Sequence, residues 1–389
     1  MKYLRLLLNN VFRNRRRTFL TITSIAVSLF LIATLLTMMW EMENPPQTPE
    51  SAMRLLTRHR VSLANILPMS YRSKIARVPG VDAVIGSMWF GGVYKDPKNF
   101  FAQFAVDTDQ FFQIYADNRC PDDQKAAFLS DRTGALAGEN LAQRFGWKVG
   151  DRITLQGALF DFDAELTLRG IYSGGSDDGS TLYFHWEYFN EGMKKLYPGA
   201  SEEVNFTGFY VLRATSADKV PAVAEAVDAL FKNSSTPTKT ESEKAFVLGF
   251  LAMLGNVRLL ITSICSVMMF TIVLVAANTM AMSIRERVRE IGILKALGFR
   301  RLQILWLLLG ESVVLAVSGA LLGSVGAKLL FARARLAAAT GGMIQQLHVR
   351  PETLLICTGI GLLVGVISAG IPAWQAARRR VVDALRDVD

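Results

Sequence analysis

The sequence predicts a membrane protein with four transmembrane α-helices, one followed by three, and a large α+β extracytoplasmic domain between the first and second helices. Three observations support this prediction. Half of the 389 residues are apolar (51%), and the mean hydropathy is positive, at +0.26. Four apolar runs are long enough to cross a bilayer. Roughly 200 residues of ordinary globular composition separate the first run from the second.

The four runs carry few or no charges, and each is as long as a bilayer requires. The run from Leu259 to Ile284 has 26 uncharged residues, or ~39 Å of helix against a hydrocarbon core of ~30 Å. The predicted organisation is a cytoplasmic interfacial helix at 1–17, a first transmembrane helix at 18–40, the extracytoplasmic domain at 41–250, a stalk and second transmembrane helix at 251–284, a cytoplasmic helix at 285–301, a third transmembrane helix at 302–330, an extracytoplasmic loop at 331–352, a fourth transmembrane helix at 353–377 and a cytoplasmic tail at 378–389.

Basic residues cluster on one side of the predicted spans, in segments 1–17, 285–301 and 378–389. An excess of Lys and Arg in short loops marks the cytoplasmic side, so both termini are predicted to be cytoplasmic. Residues 41–250 instead carry 22 Lys+Arg against 27 Asp+Glu. Because the basic surplus lies at the membrane face, the lipid bilayer is an expected partner and a nucleic acid is not.

The N-terminal segment has the pattern of a helix that lies in the membrane interface. Its apolar stripe alternates with basic and polar residues, and the stripe consists of Leu4, Leu7, Leu8, Val11 and Phe12. The 23 uncharged residues that follow are too many for the apolar region of a cleaved signal peptide. The first run is therefore expected to remain as a span.

The large domain alternates strand-like and helix-like segments, which predicts an α+β fold. Predicted strands are 81–90, 152–155, 164–172 and 209–214, and predicted helices are 70–80, 136–145 and 217–231. An aromatic group could line a pocket for an apolar substrate, but a core role is favoured because strands bury aromatic residues routinely. The group is Trp89, Phe90, Phe100, Phe101, Phe104, Phe111 and Phe112. The acidic loop 174–179 lacks the spaced ligands of a calcium loop and is predicted to be a flexible turn.

The end of the domain predicts a long helix. Thr240 and Glu243 match a capping box. Apolar residues then continue at helical spacing as Phe246, Val247, Phe250, Leu251 and Leu254. We expect one unbroken helix to run from the domain into the second span.

The loop between the second and third spans predicts an amphipathic helix with an apolar stripe opposite its arginines and a stop at Gly298. The stripe is Ile284, Val288, Ile291, Leu294 and Leu297. One interpretation is an interfacial helix whose arginines meet anionic headgroups. The other rests on RERVREIGILKALGFRRLQIL, which resembles the R/K-x-x-E-I-G-I-L-x-A-L-G segment of ABC transporter permeases of the MacB/LolC-LolE/FtsX superfamily.

In that superfamily the segment is the coupling helix, which docks into a groove on an ATPase. The resemblance implies this role for Arg285, Arg287, Glu290, Ile291, Gly292, Leu294, Ala296, Leu297 and Gly298. The opening LLLNNVFRNRRRTFLTITSIAVS also looks like the superfamily's elbow helix and first span. The ending IPAWQAARRRVVDALR is similar to its terminus, except that Val381 or Val382 stands where a proline is usual. In the domain, GENLAQRFGWKVGDRITL resembles a segment of MacB-like external domains.

The resemblance implies a type VII permease subunit that works by mechanotransmission and lies in a bacterial cytoplasmic (inner) membrane. No G-x-x-x-x-G-K-[ST] loop occurs, so no cofactor is expected on this chain, and ATP and Mg²⁺ are expected on a separate ABC ATPase subunit. Because four spans are too few to enclose a path, a second permease copy, identical or related, is also expected. The implied function is MacB-like efflux, with a periplasmic adaptor and outer-membrane channel, or lipoprotein release, with a lipoprotein carrier. The alternative is an FtsX-like signalling subunit that activates a cell-wall hydrolase without transport.

Catalytic patterns are missing from the sequence. Neither a G-x-S-x-G elbow nor an H-E-x-x-H helix occurs, and the three histidines are far apart. Of the three cysteines, only Cys120 falls outside the predicted spans, so no disulfide within the chain is expected. We therefore expect a subunit that is not an enzyme and has no metal site.

Five residues inside the predicted spans are assigned to helix packing. Glu311 lies ~14 Å past the start of the third span, where a carboxylate faces protein or water. Packing is favoured for it over a proton relay or cargo binding. Gly319, Gly323 and Gly326 are small residues that let helices approach closely, within the bundle or across a dimer. Pro372 is expected to kink the fourth helix.

Overall fold

The computed structural model describes residues 14–44, 47–177, 179–197, 205–253, 255–333 and 348–378. Most of the predicted interfacial helix 1–17, of the loop 331–352 and of the tail 378–389 lies outside the described residues. The chain divides into a helical unit and an α+β unit, with boundaries near residues 42 and 254. Each unit is described by itself below.

The helices and strands are numbered along the chain. The helices are α1 (Arg15–Glu43), α2 (Tyr71–Ile75), α3 (Phe111–Ile114), α4 (Asp122–Ser130), α5 (Glu139–Phe145), α6 (Trp186–Leu196), α7 (Val220–Leu230), α8 (Glu243–Met253), α9 (Val257–Glu286), α10 (Val288–Ala296), α11 (Arg301–Arg333) and α12 (Pro351–Arg378). The strands are β1 (Arg54–His59), β2 (Leu67–Pro68), β3 (Val81–Trp89), β4 (Ala102–Val106), β5 (Asn118–Arg119), β6 (Gly134–Gly138), β7 (Arg152–Leu155), β8 (Ala164–Gly174), β9 (Thr181–His185), β10 (Phe206–Thr207), β11 (Phe209–Ala214) and β12 (Thr238–Ser242).

Four helices of the helical unit are long and apolar enough to cross a membrane: α1, α9, α11 and α12. They contain 29, 30, 33 and 28 residues, which is ~42 to ~50 Å of helix. Many of their large apolar side chains are exposed in the structure, as expected for helices in contact with lipid. The predicted order of one span, a large domain and three more spans is confirmed.

The α+β unit is built on one mixed sheet in the order β12-β1-β11-β3-β4-β9-β6-β8-β5, with β7 paired to β8. The pairs β4/β9 and β6/β8 are parallel, and the other pairs of this sheet are antiparallel. Strands β2 and β10 form a separate small pair. The predicted α+β domain is confirmed.

Strand β8 shows why these residues form a sheet. Its first nine residues alternate between fully buried and less buried positions, the period of two that a strand requires when one face is covered. Phe90, Phe101 and Phe111 are buried in the cores that cover the sheet. The favoured core role is therefore right for these three aromatic residues. The core interpretation does not fully describe Trp89, Phe100 and Phe104, because these three residues also line a cavity.

The predicted helix 136–145 is wrong in its first part. Residues 134–138 form the interior strand β6, which is buried along its whole length, and the helix α5 begins only at Glu139. A short apolar run such as GALAG fits a buried strand as well as a buried helix, because its burial on both faces removes the periodicity that distinguishes them.

The predicted unbroken helix from the domain into the second span is also wrong. Helix α8 ends at Met253 and α9 begins at Val257. Between them Gly255 has φ +101°, a conformation that interrupts a right-handed helix. The side chain of Asn256 then accepts a hydrogen bond from the Leu259 N–H (2.9 Å), which caps the new helix. Thr240, assigned to a capping box, lies in β12 instead.

Candidate functional site

Helix α10, in the predicted coupling segment, is separated from both neighbouring spans by identifiable breaks. Arg287, with φ −117°, ends α9 and precedes α10. Gly298 has φ +93° and its N–H bonds to the Lys295 carbonyl (3.0 Å). This conformation suits glycine because it has no Cβ. The predicted stop at Gly298 is confirmed, and the helix is shorter than the predicted segment 285–301.

One face of α10 is buried in the helical unit. Ile291 and Gly292 are buried on α10. Ile291 joins a core that also contains Ile284, Ile304, Leu308, Ala373 and Ala376. The resemblance implied that Ile291 and Gly292 belong to a docking surface, but the structure places them against the chain's own helices.

The opposite face of α10 is exposed, and we call Arg289, Ile293, Ala296 and Leu297 the outer face. Arg289, Ile293 and Leu297 follow each other at intervals of four residues, so they form one stripe along the helix. The Leu297 side chain is 72% exposed. A leucine with this exposure on a helix that already buries its other face is available to a partner molecule.

Arg287 connects α10 to the neighbouring span through a buried ion pair. Its Nη1 donates to both carboxylate oxygens of Glu311, at 3.0 and 2.9 Å, and its Nε donates to Glu290 at 3.2 Å. Both Arg287 and Glu311 are largely buried. Burial lowers the pKa of Arg287, but the carboxylates of Glu311 and Glu290 outweigh it and raise that pKa above its usual value. Glu311 thus lies in a contact between helices, and its partner was not foreseen from the sequence.

Two further contacts hold the same region. Arg17 of α1 bonds to Glu286 at the end of α9 (2.7 Å). Lys295 Nζ donates to the Ala376 carbonyl of α12 (3.2 Å). Helix α10 is therefore attached to α11 and α12 by polar contacts as well as by its buried face.

The glycines assigned to packing differ in their surroundings. A Cβ on Gly319 would lie 2.8 Å from the Ile25 side chain, and one on Gly323 would lie 2.2 Å from the Ala26 carbonyl oxygen. These two glycines permit close contact between α1 and α11. A Cβ on Gly326 would meet no neighbouring helix among the described residues within 4 Å, so no close helix contact requires a glycine there. Pro372 lies inside α12, which continues to Arg378.

A second pair of glycines was missed. A Cβ on Gly361 would lie 2.6 Å from the Ala320 Cβ, and one on Gly365 would lie 2.7 Å from the Val313 Cα, so α12 packs closely on α11. The buried hydroxyls of Ser312 and Ser368 bond across the same contact at 3.1 Å. The G-x-x-x-G spacing in an apolar span is a signal that the sequence does contain.

The α+β unit contains a buried polar group that was also missed, and we call Arg54, Asp117, Ser176 and Glu243 the Arg54 cluster. Arg54 is 1% exposed. Its two Nη atoms pair with both oxygens of Asp117, one at 3.0 Å, while its Nε bonds to Glu243 at 2.7 Å. The Ser176 hydroxyl accepts from Arg54 (2.8 Å) and donates to Glu243 (2.6 Å). Glu243 is the first residue of α8, so the cluster ties this helix to the sheet.

The electrostatics of the Arg54 cluster follow from its burial. Burial favours a protonated Asp117, but the hydrogen bonds and charge of Arg54 outweigh it and hold the pKa of Asp117 below its usual value. In the adjacent loop, burial raises the pKa of Asp177, although Tyr172 donates a hydrogen bond to it. Within the loop predicted to be a flexible turn, Ser176 and Asp177 are thus held by partly buried hydrogen bonds.

The chain has the organisation of a multi-pass membrane permease. It contains four apolar helices, a large α+β domain inserted after the first of them, and a charged amphipathic helix between the second and third. Two family models match the chain: the MacB-like periplasmic core domain over residues 18–230, more than half of the chain, and the FtsX-like permease C-terminal domain over residues 262–381. The chain therefore belongs to the ABC transporter permeases of the MacB/FtsX family. The family expected from the sequence is confirmed.

Individual relatives cover the chain to different extents. The uncharacterized ABC transporter permease MJ1507 of Methanocaldococcus jannaschii is 24% identical, and the match spans 97% of this chain and 96% of MJ1507. The uncharacterized ABC transporter permease YknZ of Bacillus subtilis is 32% identical over 51% of this chain and 49% of its own length. The macrolide export ATP-binding/permease protein MacB of Bdellovibrio bacteriovorus is 34% identical over 28% of this chain. The chain spans less than half the length of the last two relatives, 49% and 16% respectively.

Solved structures of external domains are more distantly similar. The extracellular domain of YknZ matches with a TM-score of 0.33 and 16% identity, and covers 48% of this chain and 98% of the YknZ domain. The periplasmic region of MacB from Actinobacillus actinomycetemcomitans matches with a TM-score of 0.35 and 10% identity, and covers 51% of this chain and 92% of the MacB region. Family membership therefore follows from the two family models and not from these structures.

Proposed function

We propose that this chain is the transmembrane subunit of an ABC transporter, in which the outer face of α10 docks on a separate ATPase subunit that holds ATP and Mg²⁺. The observation that carries the proposal is the division of α10 into two faces. Its inner face is fixed to α11 and α12 through Ile291 and the Arg287–Glu311 pair. Its outer face presents Ile293 and Leu297 beside Arg289. A helix anchored on one side and exposed on the other can pass a displacement from a partner to the spans.

The composition of the outer face favours a protein partner over lipid headgroups. Exposed apolar side chains next to an arginine are typical of the central part of protein interfaces, where arginine and large apolar residues dominate the binding energy. An interfacial helix would instead direct its apolar stripe into the lipid. Here the buried part of that stripe, Ile284 and Ile291, contacts protein rather than lipid.

A charge placed on the outer face tests docking. We expect Leu297→Asp to weaken association with the cognate ATPase by about 30-fold or more, since loss of a central interface side chain costs ~2 kcal/mol or more. The permease and ATPase are co-purified in lipid nanodiscs, and retention and ATP hydrolysis are measured. Leu230→Asp is the matched control, because Leu230 is 50% exposed at the end of α7 in the other unit. Full retention of the ATPase by Leu297→Asp would contradict docking through the outer face and would favour the interpretation that α10 lies in the lipid interface.

The output of the coupling is proposed to be export or extraction of a substrate at the cell envelope. Relatives that match this chain are named macrolide export and pyoverdine export proteins, which favours a MacB-like efflux function with a periplasmic adaptor and outer-membrane channel. Release of lipoproteins to a carrier is the other transport function. The match to the MacB-like domain over residues 18–230 favours transport over FtsX-like activation of a cell-wall hydrolase.

The assembly is proposed to contain two permease copies, identical or related, in the inner membrane with both termini cytoplasmic. Four spans supply too few helices to surround a path. Gly326, which lies beside open space on α11, is a candidate contact between copies. The chain itself is proposed to bind no cofactor and to catalyse no reaction.

A further inference from the structure

A cavity in the α+β unit has no role in the coupling proposed above. Its volume is about 630 Å³. It is bordered by β3, β4, β10, the start of β11 and α8, and by the loops before β2 and between β7 and β8. Fourteen described residues line it, and each of them is a glycine, an alanine or a larger apolar residue. Among them none carries a charged or amide side chain.

Aromatic rings form much of the cavity wall. The Trp89 and Phe104 rings meet edge to face at 5.3 Å, and the Phe104 and Phe209 rings do so at 5.7 Å. The Phe209 ring lies 6.2 Å from Phe246 on α8. These rings support each other from the sheet to the helix, so this wall is formed before any ligand arrives.

The mouth of the cavity exposes large apolar side chains to solvent. Phe100, Leu159 and Phe250 all line the cavity and are each at least half exposed. Exposed apolar residues scattered singly are normal, but a group of them around a concave apolar space indicates a binding site. The concave shape and the volume of the space favour a ligand that enters it over a flat protein surface laid across it.

We propose that this cavity binds an uncharged, apolar small molecule. Ligand sites of this kind occupy ~300 to ~1,000 Å³ and are lined mainly by apolar and aromatic residues. A charged group could not enter without losing its hydration, because no lining side chain offers it a partner. The proposal rests on the proposed transport function only in identifying the bound molecule as cargo.

A ligand in this cavity touches the segment that continues towards the second span. Phe246 and Phe250 belong to α8, and the chain enters α9 seven residues after Phe250. Glu243, the first residue of α8, is held by the Arg54 cluster. Because the first turn of α8 is held in place, occupancy of the cavity is expected to affect the position of the rest of the helix.

Binding is measured on the full-length chain in lipid nanodiscs without ATPase or ATP. The chain is labelled with 5-fluorotryptophan and titrated with N-phenyl-1-naphthylamine, an uncharged aromatic probe, while ¹⁹F NMR is recorded. We expect a saturable shift of the Trp89 resonance, which Trp89→Phe identifies by its loss. Trp147 is the internal control, because it is buried in the same unit, bonds to Tyr94 at 2.9 Å and does not line the cavity.

Two substitutions of alanine by phenylalanine test whether the probe binds in this cavity. Ala64 is an exposed residue of the lining, so Ala64→Phe fills part of the cavity without disturbing the core. We expect it to weaken binding about tenfold or more, since an occupied pocket tolerates added bulk poorly. Ala226→Phe is the matched control on an exposed position of α7 and should bind the probe like the parent.

Three results would overturn the proposal. The first is a Trp89 shift that does not saturate or that Trp147 shares, and the second is unchanged binding in Ala64→Phe. The third comes from nanodiscs whose lipid carries a spin label at the acyl-chain end. Broadening of Trp89 in these nanodiscs before any probe is added would show that a bilayer chain fills the cavity. Because neither ATPase nor ATP is present, failure here is distinct from failure of the docking test at Leu297.

Discussion

The contacts of the Arg54 cluster allow us to predict how much local stability the α+β unit loses in the variant Arg54→Met. Methionine replaces much of the volume of arginine but leaves the Asp117 carboxylate, which is 4% exposed, without its cation. Removal of one partner from a buried ion pair costs ~3–5 kcal/mol, because the remaining charge stays desolvated. Asp117 also loses its paired hydrogen bonds, and Glu243 loses its link to β1. We therefore expect local stability around β1 and the start of α8 to fall by this amount.

Hydrogen exchange followed by mass spectrometry measures the effect on the full-length chain in nanodiscs. A loss of ~3–5 kcal/mol in the opening free energy corresponds to exchange that is roughly 150 to 4,000 times faster. The acceleration should appear in peptides from β1, β12 and α8. The control is Arg58→Met on the same strand, because Glu241, the partner of Arg58, keeps its second contact with Lys239 (2.8 Å). We expect at most ~1 kcal/mol there.

A double variant keeps the test informative where the single variant does not fold. In Arg54→Met/Asp117→Leu both charges of the buried pair are absent, and replacement of a buried pair by apolar residues is often neutral. Most of the lost protection should therefore return. Exchange in Arg54→Met that stays within threefold of the parent, or that equals the effect of Arg58→Met, would refute the assignment of the cluster as the anchor of α8.

Two other predictions concern helix packing and the orientation of the chain in the membrane. Gly323→Ala should lower the melting temperature of the purified permease, because its Cβ would lie 2.2 Å from the Ala26 carbonyl oxygen, whereas Gly326→Ala, with open space beside it, should not; equal melting temperatures would contradict the packing of α1 on α11. For orientation, a single cysteine at Ser130 should react with an impermeant thiol reagent in intact spheroplasts and one at Arg300 should not, since basic loops are cytoplasmic. Labelling of Arg300 alone would reverse the topology and exclude docking of an intracellular ATPase on α10.

Features with a strong local signal could be predicted from the sequence. The four spans are long continuous apolar runs, and the stop at Gly298 is a single residue with a known conformational preference. The amphipathic pattern of α10 was also visible. The pattern does not show which molecule covers each face of α10. Gly292 was therefore assigned to a partner surface, although the chain's own helices cover it.

Features that depend on distant parts of the chain were missed. Arg54 meets Asp117, Ser176 and Glu243 across sequence separations of 63, 122 and 189 residues. No periodicity links such positions, and an arginine in a strand usually points to solvent. The same reason explains the unpredicted partner of Glu311. By contrast, the Gly361 and Gly365 pair carries a readable motif, and the break at Gly255 could have been suspected from glycine between two helical segments.

The break at Gly255 determines which kind of mechanical signal can pass between α9 and α8. A continuous helix resists torsion and bending, so a rotation at one end becomes a rotation at the other. A glycine outside the helix absorbs torque by turning about its own φ and ψ bonds. A pull along the chain is still transmitted once the connecting residues are extended, because consecutive Cα atoms stay 3.80 Å apart. Under the proposed coupling, we therefore expect Gly255 to behave as a swivel, so that linear displacement rather than rotation passes between α9 and α8.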